Sequence, residues 1–304
     1  NREEEMVALV CANFDNVVLI CNSSNAMNLS FVDDHPQIKS VVWCPGTGNN
    51  GFNSLGRILN GAVNPSGKAA DTFVRDFTQA PYWNNFGFAI YDNMDEFTIA
   101  DNDPYVPGTR PHYVHYVEDI YVGYKYWETA AAEGFINYDS VVQYPFGHGL
   151  SYTGFTQEMG PISESNGTIS FDVTVTNTGS VAGKDVVEVY YNPPYTNGGI
   201  EKASANLVAF DKTDMLEPGA NQTLTLSFNV EDMASYDMSG TGGYVLEAGD
   251  YIISINRDSH NIIDSQTYTV ASDIDYTNGR SNDQAAPVNL FDFAKGEIEY
   301  LSRA

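Results

Sequence analysis

The order of apolar and polar positions divides the chain into two halves with different periods. At 3–13 (EEEMVALVCAN), Met6, Leu9, Val10 and Asn13 recur at helical intervals, and acidic residues fill the first turn, where the helix dipole favours them. Two short unbroken apolar runs follow, VVLIC at 17–21 and VVWC at 41–44. Runs of this kind predict strands covered on both faces, as in a parallel sheet with helices on either side. Between them, FVDDHP at 31–36 predicts a short helix stopped by Pro36. After the second run comes a glycine-rich loop, PGTGNNG at 45–51, and then a helical pattern, FNSLGRILNG, closed by Gly61. The alternation is α/β: a mostly parallel sheet sandwiched by helices.

From residue 168 the period becomes two. Ile169, Phe171, Val173 and Val175 alternate with polar residues, as do Leu224, Leu226 and Phe228. Runs at 186–191, 206–210, 243–256 and 265–270 complete about seven strands at the spacing of a β-sandwich, with turn signals between them. The α/β domain is thus placed at 1–158 and an all-β sandwich at 159–271. Residues 272–304, polar as far as Pro287 and amphipathic beyond it, read as a linker or tail leading towards a further domain.

One stretch fits neither pattern. Residues 76–118 are rich in proline and aromatics, and a loop of that length in a compact domain is usually functional or interfacial. Tyr82, Trp83, Phe86, Phe88, Tyr91, Tyr105, Tyr113 and Tyr116 are suited to stacking on the flat apolar faces of sugar rings; the plainer reading is that they pin a long excursion to the domain surface.

Length and charge narrow the possibilities. At about 150 residues per domain, 304 residues make about two domains. Fourteen Lys and Arg against 40 Asp and Glu leave a net charge of −26. That field repels phosphate backbones and anionic lipid, so neither nucleic acid nor a membrane surface is expected as a partner. No apolar stretch reaches the ~18 residues of a membrane span, and no signal peptide is recognisable. The chain enters its first helix at Asn1-Arg2-Glu3 without an initiator Met, which predicts upstream sequence. The compartment stays open, with a slight lean from few Lys, many Asn and Tyr and the acidic surface towards an extracellular or cell-associated bacterial setting.

Candidate chemistry is sparse. Cys11, Cys21 and Cys44 have no CxxC spacing, and Cys21 and Cys44 end apolar runs, so they read as buried hydrophobes. There is no GxSxG nucleophile elbow. His112 and His115 flank Tyr113, His148 lies in a glycine pair, and His35 and His260 sit in polar turns, so no metal site and no cofactor are expected. The glycine-rich loop lacks the GxGxxG spacing of a dinucleotide site.

What remains is positional, because loops leaving the carboxyl ends of parallel strands form the binding edge of such sheets. Here that edge holds Asn22, Ser23, Ser24 and Asn25 and, on the second loop, Thr47, Gly48, Asn49 and Asn50. Both loops are neutral and rich in hydrogen-bond donors and acceptors, which suits hydroxyl groups better than phosphate. Glu118 and Asp119, among aromatics, are the best local carboxyl candidates, and Glu118 is placed with these loops on the pocket rim; pairing with Arg110 or Lys125 is the structural alternative.

Three segments carry a resemblance. Gly61-Ala62-Val63-Asn64-Pro65-Ser66-Gly67-Lys68 with Ala70-Asp71-Thr72-Phe73, Tyr116-Val117-Glu118-Asp119-Ile120-Tyr121-Val122-Gly123-Tyr124-Lys125-Tyr126, and Tyr144-Pro145-Phe146-Gly147-His148-Gly149-Leu150-Ser151-Tyr152-Thr153-Gly154-Phe155 are similar, in order and spacing, to the later part of glycoside hydrolase family 3, the β-glucosidase and β-xylosidase family. Residues 160–271 resemble that family's fibronectin type III-like domain.

The resemblance implies a retaining, exo-acting β-glucosidase that releases terminal β-linked glucose from oligosaccharides or glucosides. Its nucleophile Asp and acid/base Glu lie outside this chain, which supplies pocket wall and scaffold and is expected to be inactive alone. The implied partners are a β-glucoside or oligosaccharide and a (β/α)8-type barrel, on the same parent chain or as a second polypeptide. The character of the tail points to a member with permuted domain order. Many members carry a Glu in the loop occupied here by Thr47-Gly48-Asn49-Asn50. A β-xylosidase of the same family, a non-catalytic carbohydrate-binding or scaffold module, and a homo-oligomeric state stay open.

Overall fold

The computed structural model describes residues 2–85, 114–283 and 299–304. Most of the aromatic excursion, 86–113, and the segment 284–298 lie outside the described residues. The first half runs α1 (Arg2–Cys11), β1 (Val17–Cys21), β2 (Ile38–Trp43), α2 (Phe52–Leu59), β3 (Phe73–Val74), α3 (Tyr124–Ala132), α4 (Tyr138–Val141) and β4 (Val142–Tyr144). β1 and β2 pair in parallel, with Leu19 opposite Val41 and Cys21 opposite Trp43. β3 and β4 form a separate antiparallel pair. A short 3-10 turn at Ser30–Asp34 ends just before His35-Pro36, where proline forbids continuation.

Burial of β1 departs from the sequence expectation. Val18 is 47% exposed and Ile20 39%, while the inward Cys21 and the neighbouring Leu29 and Phe73 form a small core with Trp43 packed against it. The continuous apolar run therefore has only one face covered among the described residues. All three cysteines are buried free thiols. Burial holds the thiols of Cys21 and Cys44 above their ordinary range, so they behave as small hydrophobes.

The second half is an all-β sandwich of β5 (Phe155–Met159), β6 (Ser163–Ser165), β7 (Thr168–Asn177), β8 (Val186–Asn192), β9 (Asn206–Lys212), β10 (Asn221–Asn229), β11 (Ser235–Asp237), β12 (Gly243–Leu246), β13 (Gly249–Asn256), β14 (Ile262–Val270) and β15 (Ile274–Tyr276). One sheet has the order β10-β7-β5, with β6 also on β7; the facing sheet is β14-β13-β8-β9, and β11-β12-β15 make a third, smaller one. Cross-strand pairs explain the register. Leu224 faces Val173, Leu226 faces Phe171 and Phe228 faces Ile169, all pointing into the core, where a one-residue slip would expose every one of them. From the facing sheet come Val187, Val189, Tyr251, Ile253 and Ile255.

The apolar run at 243–256, a single element in the sequence pattern, is two strands in two sheets, broken at Glu247-Ala248. Gly249 makes the break possible. Its φ is +143°, and a Cβ there would stand 2.8 Å from Pro194 Cγ. β8 is buried along almost its whole length, which a sandwich strand with one wet face would not be. Val187, Val189 and Tyr191 face the sandwich core, and the alternate residues Glu188 and Tyr190 face the first half of the molecule. That second covered face fixes how the two halves join.

Candidate functional site

The parallel register of β1 and β2 brings the loops after both strands to one edge. Trp43 joins them directly: its indole Nε1 donates to the Ser23 carbonyl at 2.7 Å, and the Cys44 amide donates to the Cys21 carbonyl at 2.9 Å. The Trp43 ring is held in turn by an edge contact with Phe73, 5.2 Å between centroids. Ser23 Oγ closes the first loop on itself, donating to the Asn25 carbonyl at 2.8 Å and accepting from the Asn25 amide at 3.3 Å.

The second loop needs its glycines. Gly46 and Gly48 both take positive φ, near +56° and +59°, and a Cβ on Gly51 would lie 2.2 Å from the Thr47 carbonyl that its own amide reaches. Asn22, Ser24, Asn25, Gly48, Asn49 and Asn50 are exposed, and Ser23 and Thr47 are half-buried. The edge is thus an uncharged rim of amide and hydroxyl groups held on a braced framework, and its chemistry suits the hydroxyls of a neutral ligand.

Glu118 occupies a different environment. It is buried in the turn before α3, and its carbonyl accepts from the Tyr121 amide at 2.8 Å. The ties of this turn run to the sandwich and to the terminal segment. The Val117 carbonyl accepts from the Leu301 amide at 2.7 Å, and the Tyr121 hydroxyl bonds Glu201. Asp119, at positive φ, has its carboxyl pushed up by burial and by the nearby Glu201 charge. Among the described residues no group of three or more His, Cys, Asp or Glu side chains is arranged to hold a metal ion.

The sequence motifs outside the rim turn out to hold the two halves together. Asn64 accepts from Ser151 Oγ at 2.9 Å and from the Tyr152 amide at 2.8 Å through Oδ1, and its Nδ2 donates to the Ala182 carbonyl at 3.1 Å. The segments 64–69 and 145–150 pack backbone to backbone: the Ala69 amide donates to the His148 carbonyl and the Gly147 amide to the Ala69 carbonyl, both at 2.8 Å. A Cβ on Gly149 would sit 2.4 Å from the Gly67 carbonyl oxygen.

Sequence reasoning missed the polar seam beside these segments. Glu128, on α3 and 7% exposed, accepts from Tyr138 Oη at 2.6 Å and Ser259 Oγ at 2.7 Å, and pairs with His260 Nδ1 at 2.8 Å. The turn 257–261 between β13 and β14 is thereby plugged into the first half. Its Ser259 amide also donates to the Phe146 carbonyl at 2.8 Å, and Asp258 shapes it by accepting from the His260 and Asn261 amides. Next to it, Glu188 on β8 accepts from Tyr190 Oη at 2.9 Å and presses on Gly147, where a Cβ would meet its Oε2 at 2.2 Å. A Glu inside the buried run VVEVYY is the one signal that pointed here.

Comparison with known proteins places these features. Residues 1–152 match the glycosyl hydrolase family 3 C-terminal domain, and residues 185–259 match a fibronectin type III-like domain. The chain is 35% identical over 269 residues to Beta-glucosidase A of Butyrivibrio fibrisolvens, covering 83% of this chain and 29% of that protein. It is 34% identical over 276 residues to a beta-glucosidase of Ruminococcus albus, covering 89% and 25%. The solved β-glucosidase of Paenibacillus barengoltzii superposes with a TM-score of 0.74 at 33% identity, over 90% of this chain and 28% of that one. Beta-glucosidase 3B of Thermotoga neapolitana, solved in complex with alpha-D-glucose, superposes at 0.72 with 30% identity, over 90% and 34%. The chain therefore spans about a quarter to a third of the length of these relatives.

Proposed function

The chain belongs to glycoside hydrolase family 3, and on that premise we propose that it is the pocket wall and scaffold of a retaining, exo-acting β-glucosidase. In a retaining reaction one carboxylate attacks the anomeric carbon and forms a glycosyl-enzyme, while a second carboxyl protonates the leaving oxygen and then activates water. Both carboxyls lie outside this chain: the nucleophile Asp on a (β/α)8-type barrel domain, on the same polypeptide or a second one, and the acid/base Glu ahead of the helix with which this chain begins. This chain's part is to hold the terminal glucose. Asn22, Ser23, Ser24 and Asn25 with Thr47, Gly48, Asn49 and Asn50 donate to and accept from its hydroxyls and so fix the ring relative to the reacting carboxyls.

The observation that carries the reading is the rim itself: two uncharged loops, welded by the Trp43–Ser23 bond, in a chain 35% identical to a β-glucosidase. Exposed apolar side chains on the first half, Met6, Leu9, Val18 and Ile20 among them, supply surface for a barrel to cover. The Glu118 turn, tied to the sandwich, serves as support for the wall and not as an acid or nucleophile.

The test is replacement of 22–25 and 47–50 by Gly-Ser in the whole enzyme, assayed on a chromogenic β-glucoside. The kcat/KM is expected to fall by about a hundredfold, the loss of two or three hydrogen bonds at ~1 kcal/mol each; an unchanged value sinks the reading. The 304-residue chain alone is expected to hydrolyse nothing. Hydrolysis by that chain alone would place the carboxyls within it.

A further inference from the structure

The seam between the two halves gathers several titratable groups that the proposed reaction does not use, the acids Glu128, Glu188 and Asp258 buried and His260 at the exposed edge, 37% accessible. His260 lies flat on Tyr138 of α4, 3.6 Å between ring centroids, with Glu128 of α3 on its Nδ1 and Asp258 and Asp139 close enough to bear on its charge. Glu188 is 4% exposed, with Tyr190 on its Oε2, Lys68, Asp185 and Asp258 bearing on its charge, and Tyr124 beyond. Lys68 is anchored across the seam, its Nζ donating to the Arg257 carbonyl at 3.1 Å.

We propose that this seam is a proton-held latch. It is closed when His260 carries its proton against Glu128 and Glu188 carries one beside Tyr190. It is loosened when both protons are lost, so the sandwich releases its hold on the first half as pH rises through neutrality.

The two groups act in the same direction. The hydrogen bond to Glu128, with the charges of Glu128, Asp258 and Asp139, raises the His260 pKa against the opposing effect of burial. A raised value means that the folded seam binds a proton that the unfolded chain gives up, and the gain is lost as pH rises through the folded value. Burial pushes Glu188 up to about 7, against the Tyr190 hydrogen bond and the Lys68 charge, with Asp258 and Asp185 adding to burial. Its contribution fades between the ordinary carboxyl range and neutrality, again with rising pH.

His148, on the Phe146–Gly149 segment, works the other way. Burial lowers its pKa, so it opposes closure only as pH falls below its ordinary value near 6.5. Below about 6.5 His148 thus offsets the Glu188 loss, and above it Glu188 and His260 loosen the seam together. Burial also drives the hydroxyls of Tyr124, Tyr138 and Tyr190 upward, which keeps them neutral throughout. The latch is independent of which glycoside the enzyme cleaves.

Three backbone amides report on it. Ser259 donates to Phe146, Ser204 to Thr129 Oγ1 at 2.9 Å, and Leu207 to Tyr124 Oη at 2.9 Å, each across the seam. Hydrogen exchange on the 304-residue chain, corrected for the intrinsic pH dependence, is expected to show their protection falling about fourfold or more between pH 6.5 and 8.5, the share left to a carboxyl titrating near 7 with that of His260 added. Core amides of β7 should hold steady over the same range. Glu188→Gln should flatten the part near pH 7, and Glu188→Gln with His260→Asn should flatten the whole. Constant protection in the wild-type chain, or full pH dependence in the double variant, overturns the proposal. If the double variant fails to fold, the ring signals of His260 in the wild-type chain decide: a titration midpoint above 6.5 supports the latch, and one at or below it overturns it.

Discussion

His260 and Tyr138 lie face to face, 5° from parallel, and both reach the same carboxylate, Glu128. The stack therefore depends on an acid that neither ring could replace. Truncation by Glu128→Ala strands the two buried hydroxyls of Tyr138 and Ser259 and takes the partner from the part-exposed His260 imidazole, at a cost of about 2 kcal/mol. Urea denaturation of the chain at pH 6.5 should show this as a lower midpoint. A change under ~0.5 kcal/mol would mean that water replaces the carboxylate without loss.

Gly147 meets two constraints at once. Its φ is +83°, and the space a Cβ would fill is held by the Glu188 carboxyl at 2.2 Å. Gly147→Ala should cost about 2–3 kcal/mol from backbone strain and displacement of a buried acid. The same change at Gly134, also at positive φ but with nothing within 4 Å, should cost less. Thermal melts of the two variants side by side test the difference.

Within the sandwich, Ile253 is fully buried between the sheets. Ile253→Ala is expected to destabilise by about 3–4 kcal/mol through lost burial and the cavity left behind. Val18→Asp makes the contrasting case. On the exposed face of β1 it should change the stability of the chain alone by under ~0.5 kcal/mol. In the whole enzyme, where we propose that a barrel covers this surface, it should lower the yield of folded protein. Equal, small effects in both settings would argue against that partner.

At the rim, Trp43→Phe keeps the contact with Phe73 but removes the Nε1 bond to Ser23. A loss of about 1 kcal/mol, roughly fivefold, is expected in kcat/KM for a β-glucoside, mostly through KM. An unchanged KM would separate the 22–25 loop from sugar binding.

The sandwich was readable because its strands follow the simplest rule. Ile169, Phe171, Val173 and Val175 point one way and polar residues the other, and the structure buries them so. The rule failed where its premise failed. Val18 and Ile20 look like core by composition, but their coverage depends on what packs against β1, which no local pattern encodes.

Likewise the single run at 243–256 is divided by one glycine conformation, and periodicity is blind to φ. The two loops of the rim could be located because a parallel register follows from strand order, and Trp43 bridges them. The seam was invisible because Glu128 and His260 are 132 residues apart, and His260 looked like an ordinary turn residue. Only the buried Glu188 hinted that β8 has two covered faces.

Asn64 carries one more consequence. Its amide nitrogen waits for a carbonyl 118 residues downstream, and Lys68 waits for one 189 residues downstream. At ribosomal speeds of about 5–20 residues per second, the Asn64 partner emerges on the order of ten seconds later. Throughout that interval the nascent first half has no sandwich to close on. The first half is thus finished only after the sandwich that follows it has been made, and the vulnerable species for chaperones and proteases is the ribosome-tethered chain before that closure.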